Sequence, residues 1–113
     1  MNNNNKNAIY ISGKMSGMPE YNYDGFKKAE IKLKRQFPES VIINPMDVIL
    51  KIYSMDDLLN NNYDYQFVLD TVIKVLKEDC KAIYMLKGWE NSNGAKAELR
   101  TAISLHYLIY FEQ

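Results

Sequence analysis

One carboxylate, Glu98, stands four residues after Gly94 and six after Ser92 in the run KGWENSNGAKAELR, residues 87–100. A glutamate in the opening turns of a helix is, on its own, most simply a solvated charge favoured by the helix macrodipole. The residues before it support a second role, that of a nucleophile. Gly94 lets a ligand approach the backbone where orphan helix-start amides point outward. Asn91, Ser92 and Asn93 add short polar groups, and Trp89 adds an aromatic face. A 5'-phosphate held by Ser92 and those amides would leave Glu98 within reach of a sugar's anomeric carbon. Asp70, in an apolar-periodic stretch upstream, is either a solvated charge or the second carboxyl that acid/base work at a glycosidic bond requires.

The other candidates flank this run. Residues 12–17, SGKMSG, invite comparison with a phosphate-binding P-loop, but the lysine follows the wrong glycine and no serine or threonine succeeds it. An NTPase is excluded on that ground. What survives is a loop whose amides and Ser12 and Ser16 hydroxyls suit a sugar or phosphate, set against a plain loop. Of nine tyrosines, Tyr10, Tyr21 and Tyr23 stand with Trp89 in or beside these segments, where flat rings suit nucleobase stacking. His106 has no second ligand at metal spacing, so no metal is expected and no organic cofactor is required. Cys80, the single cysteine, excludes an internal disulfide and reads as structural.

The elements that must position these residues alternate. Residues 8–12, AIYIS, read as a strand entering a glycine-containing loop, and 24–37 as an amphipathic helix ending before Pro38. A strand at 41–43 stops at Asn44-Pro45, which places Asn44 in a second loop at the ligand edge and among the residues expected to bind substrate. Residues 46–62 read as irregular or short helical structure. A helix follows at 63–77, a strand at 82–86, a helix at 94–105 and a last strand at 107–111. This order predicts an α/β fold, a three-layer, Rossmann/flavodoxin-like parallel sheet of about four to five strands flanked by helices. Ligands in such sheets sit at the carboxyl edge, where the glycine- and asparagine-rich loops gather.

The 113 residues suffice for one domain, expected over 8–113 behind a disordered tail at 1–7. Fourteen basic residues balance fourteen acidic ones, which argues against a polymeric nucleic acid partner. The apolar runs are far short of a membrane span and no leader opens the chain, so a cytoplasmic location without a membrane partner is expected.

The segments IYISGKMSGMPEYNYDGF, VIINP and AIYMLKGWENSNGAKAE together resemble a small group of proteins, common in phages and mobile elements, of the nucleoside 2-deoxyribosyltransferase-like superfamily (domain of unknown function 4406). The resemblance covers most of residues 8–105. It implies that Glu98 attacks the anomeric carbon of a 2'-deoxynucleoside or its 5'-monophosphate. It also implies that Ser92 and Gly94 hold the phosphate, as in the related 2'-deoxynucleoside 5'-phosphate N-hydrolases, and that Tyr10, Ser12, Gly13 and Met15 wrap sugar and base. Superfamily enzymes often complete their sites across a subunit interface, so a homodimer or higher homo-oligomer is expected. The superfamily's aspartate position falls here on Ile73, with Asp70 about one helical turn, roughly 5 Å, earlier. Either Asp70 substitutes from a longer helix or the catalytic pair is incomplete. In the second case a protein that binds a nucleotide or nucleotide-derived signal without cleaving it is the rival reading.

Overall fold

The computed structural model describes residues 7–113, so the tail expected at 1–7 lies, but for Asn7, outside the described residues. Four strands, β1 (Ala8–Ser12), β2 (Ile42–Ile43), β3 (Cys80–Met85) and β4 (Leu108–Phe111), pair in parallel in the order β2-β1-β3-β4. Five helices connect them: α1 (Tyr23–Gln36), α2 (Pro45–Leu50), α3 (Met55–Leu59), α4 (Tyr65–Asp79) and α5 (Asn93–Ser104). Short 3-10 turns at Pro19–Asn22 and Trp89–Asn91 complete the order. This is a three-layer α/β fold of the Rossmann type, with four strands.

The two central strands explain the layering. All of β1 and five of the six residues of β3 are buried, as parallel strands covered on both faces must be. Helix α1 covers one face, where Lys32 Nζ donates to the Tyr84 hydroxyl at 3.5 Å and Phe37 packs on Tyr110 with ring centroids 5.4 Å apart. Helix α5 covers the other, reaching β1 through Tyr10 and Ser12. The chain leaves β1 toward β2 and leaves β3 toward β4, in opposite directions across the sheet. The carboxyl ends of β1 and β3 therefore flank a topological switch point, where a crevice opens between diverging connections.

Capping chemistry decides where the helices begin. Asp64 accepts from the Phe67 amide at 3.0 Å, so α4 starts at Tyr65 rather than 63 and runs unbroken into β3 at Cys80. Ser92 accepts from the Ala95 amide at 3.1 Å and starts α5 at Asn93. The stretch expected as irregular or short helical forms α2 and α3, the latter opened by a reciprocal capping box between Ser54 and Asp57. Asn44 is a correction to the expected ligand-binding set. Its carbonyl oxygen caps α2 by accepting from the Met46 amide, and its amide donates to Glu30 at 3.2 Å. Burial by itself pushes the Glu30 carboxyl up, but bonds from Lys34, Asn44 and Lys27 outweigh it and hold the carboxyl below its ordinary range. Asn44 thus ties α1 to α2, with its polar atoms spent on structure.

β1 ends against β3 with little clearance. Ser12 O accepts from the Leu86 amide at 2.8 Å, and a Cβ added to Gly13 would lie 2.8 Å from Leu86 Cδ1 and 2.9 Å from Leu86 Cβ. Leu86 is buried and its Cβ is fixed to the backbone, so relief requires the strand ends to part. Gly13→Ala is therefore expected to lower stability by about 1–3 kcal/mol, read as a reduced urea midpoint at unchanged slope.

Candidate functional site

The strand period sets one half of the site. Tyr10 and Ser12, two residues apart on β1, point to the same face of the sheet, and both are fully buried. Each donates its hydroxyl to a different oxygen of Glu98: Tyr10 to Oε2 at 2.6 Å and Ser12 to Oε1 at 2.6 Å. These are the short lengths of O–H···O⁻ bonds. Glu98 lies in the second turn of α5 on its inward face, 5% exposed. Glu98 is buried and pinned, unlike a solvated helix-start charge.

Burial and hydrogen bonding act on Glu98 in opposite directions. Removal from water is the larger effect and raises its pKa, the Ser12 and Tyr10 hydroxyls lower it, and the balance lifts it from an ordinary 4.5 to about 7. The neighbouring Tyr10 hydroxyl is pushed well above its ordinary value, first by burial and then by the Glu98 carboxylate. Glu98 is therefore divided between acid and carboxylate near neutral pH, while Tyr10 stays a proton donor.

Glu98 lines a cavity of about 400 Å³ at the switch point. One wall is the loop after β1, with Gly13, Lys14, Met15 and Ser16; another is the start of α5, with Asn91, Ser92, Asn93, Gly94 and Ala95. Met46 and Ile49 of α2, Leu58 of α3, and Val68, Leu69 and Val72 of α4 supply apolar surface, and Tyr21, Tyr63 and Tyr65 close the lining. Among the described residues, Glu98 is the sole carboxyl and Lys14 the sole cation of this lining.

The tyrosines are held in place. Tyr21 donates its hydroxyl to Leu58 O at 2.8 Å and meets the Tyr63 hydroxyl at 3.3 Å, with the rings edge to face. Glu20, Tyr21 and Asn22 all have left-handed φ, 48°, 54° and 63°, a conformation that costs a non-glycine residue about 1–2 kcal/mol. That turn directs Tyr21 into the cavity. At Gly94 an added Cβ would sit 3.2 Å from the Tyr65 hydroxyl, so the missing side chain is what lets Tyr65 lean over the start of α5.

Of the residues expected from sequence, Gly13, Met15, Ser16, Asn91, Ser92, Gly94 and Glu98 come together in the lining, with Tyr10 and Ser12 behind Glu98. Three do not. Asn44 is the helix cap described above. Trp89 turns away toward β4, packing on Phe111 at 6.0 Å and lining a separate hollow with Met85, Lys87, Gly88 and Glu112. Asp70 is exposed and accepts from Gln66 Nε2 at 2.8 Å. At 100° per residue, Asp70 falls on the side of α4 away from Val68, Leu69 and Val72, so the longer helix does not bring it to Glu98. Sequence reasoning missed Lys14, Tyr63 and Tyr65 and the apolar wall from α2, α3 and α4. The Tyr63-Asp64-Tyr65 run beside a helix cap was the available signal.

A family model matches residues 7–111, from the turn before β1 to the end of β4. The chain belongs to the family described as domain of unknown function DUF4406. No curated protein and no solved structure matches it. Among the described residues of this DUF4406 domain, no helix is long and apolar enough to cross a membrane, and no three His, Cys, Asp or Glu side chains are grouped to hold a metal ion.

The raised Glu98 pKa has a signature in stability. The folded state binds this proton more tightly than the unfolded chain, so the contribution is full below about 4.5 and is lost as pH rises through about 7. The span corresponds to about 3 kcal/mol. Glu98→Gln, which cannot ionise, should match wild type in denaturant unfolding near pH 4.5 and exceed it by about that amount at pH 8–9. Equal pH dependence of the two proteins would show that the carboxyl titrates normally.

Proposed function

We propose that this domain is an N-glycosidase or deoxyribosyltransferase of the nucleoside 2-deoxyribosyltransferase-like type. It would cleave the N-glycosidic bond of a 2'-deoxynucleoside or its 5'-monophosphate through a covalent intermediate on Glu98. The observation that carries this reading is the buried Glu98 carboxyl at a cavity of small-molecule size, oriented by one hydroxyl on each oxygen. In the ionised form Glu98 attacks the anomeric carbon as the bond to the base breaks, through an oxocarbenium-like transition state. Water, or a second base, then displaces the glycosyl group and restores the carboxylate. The Tyr10 and Ser12 hydroxyls hold the attacking group in one rotamer, which is a positioning effect.

A monophosphate fits the polar end of the cavity. The Ser92 oxygen is engaged with the Ala95 amide, and its own proton remains available to donate. The first amides of α5 and the Lys14 ammonium add positive potential beside it. The outward placement of Asp70 favours a second reading, a protein that binds a nucleotide or nucleotide-derived signal without cleaving it. In either case the ligand is a small molecule and the setting is the cytoplasm. A homodimer or higher homo-oligomer is part of the proposal, supported by exposed Ile103, Leu105, Leu108 and Phe111 at the end of α5 and along the edge strand β4. Sedimentation at the monomer mass would count against that assembly.

Incubation with a panel of 2'-deoxynucleosides and their 5'-monophosphates, followed by chromatography for free base, separates the two readings. Catalysis predicts base release by wild type and at least a hundredfold loss in Glu98→Gln. It also predicts that kcat/KM rises with pH through about 7 as Glu98 ionises. Tyr10→Phe removes a bond that favours the carboxylate, so that limb should move to higher pH. Tight binding by both wild type and Glu98→Gln, without base release, supports the non-catalytic reading.

A further inference from the structure

We infer that the cavity selects substrates by the acidity of the departing base, favouring N-glycosides of imide-type pyrimidines over those of aminopurines such as adenine. The inference rests on the glycosidase reading above and adds the substrate class. Its basis is the inventory of proton donors. Glu98 is the sole carboxyl lining the cavity among the described residues, and residues 1–6, MNNNNK, contain no carboxyl or imidazole. Asp70 faces away, engaged by Gln66. His106, the single histidine, is exposed beyond the far end of α5 and does not line the cavity. The remaining ionisable lining groups are one ammonium and three phenols, which are as classes far weaker acids than a carboxylic acid. Burial together with the Tyr21 hydroxyl pushes Tyr63 further, to about 12.

The one carboxyl present cannot supply the missing proton. In the glycosylation step Glu98 must be ionised, because its oxygen forms the new bond to the anomeric carbon. The bond to the base nitrogen breaks with its electron pair going to that nitrogen, and with no carboxylic acid besides Glu98 among the described lining residues of this chain the base departs as an anion. In the second step the oxygen of water bonds to the anomeric carbon and the glycosyl ester C–O bond breaks, returning its electron pair to Glu98. The proton lost by that water balances the one taken up by the released base. A base whose nitrogen anion is delocalised onto carbonyl oxygens leaves readily on this path, and the Lys14 ammonium can offset its charge. Adenine departs well only when protonated on its ring, which the described lining residues do not provide.

The test is a leaving-group series at nearly constant shape: 2'-deoxyuridines carrying fluorine, hydrogen or methyl at C5, with 2'-deoxyadenosine for comparison. Each is supplied both as nucleoside and as 5'-monophosphate. Single-turnover base release with excess enzyme reads the chemical step. The 5-fluoro compound should react about tenfold or more faster than the 5-methyl compound, with adenine released slowest. Equal rates across the series, or adenine released as fast as the pyrimidines, would overturn the inference, since a proton donor would then reach the leaving group. In that case loss of release in Glu98→Gln still leaves the glycosidase reading standing. Release of base from no member of the series overturns both.

Discussion

The contact on which the rest of this molecule turns is the Glu98 carboxyl held between the Tyr10 and Ser12 hydroxyls. A carboxyl placed among buried strand residues is costly to ionise unless its oxygens are satisfied. Here each oxygen receives one hydroxyl at 2.6 Å from consecutive same-face positions of β1. The two bonds compensate for burial in part, which leaves Glu98 at about 7 instead of fully ionised or fully neutral. The same bonds join the central strand to α5 across the sheet surface. The link that fixes the helix is also the link that aims the carboxyl.

Around that link the topology does the remaining work. The chain's divergence from β1 and β3 leaves a gap at their carboxyl ends, and the segments that bound it have different chemistry. The loop after β1 brings Lys14 and Ser16, the start of α5 brings Ser92 and exposed amides, and the three middle helices bring apolar side chains and tyrosines. A polar end and an apolar wall meet at Glu98. That asymmetry suits a small ligand with a polar or charged end and a flat apolar end, the kind of molecule the proposed function assigns to it. Among the described residues Glu98 is also the sole carboxyl of that lining, and the proposed chemistry rests on it.

Much of this was legible along the chain. Alternation of apolar runs with helical periods gave the strand and helix order, and Ser92, Gly94 and Glu98 identified themselves by spacing within a single connection. Local signals sufficed because those residues sit in one turn and its helix. Boundaries shifted wherever a side chain capped a backbone amide, as Asp64 and Ser92 do. Trp89 and Asn44 misled for a related reason: each stands in a loop at the correct edge of the sheet. A 3-10 turn swings the indole toward Phe111, and a proline-started helix consumes the asparagine.

By itself, the sequence determined the parallel α/β architecture, the sheet edge where the strand-to-helix loops gather and the carboxylate that follows one of those loops, since these follow from periodicity, turn residues and the handedness of crossovers. Only the tertiary structure decided that Tyr10 and Ser12 grip Glu98 from 88 and 86 residues away, and that the α4 face turned to the cavity carries valine and leucine while Asp70 points to water. Helical phase relative to a distant strand is set by how whole faces pack. No local run of residues records that angle.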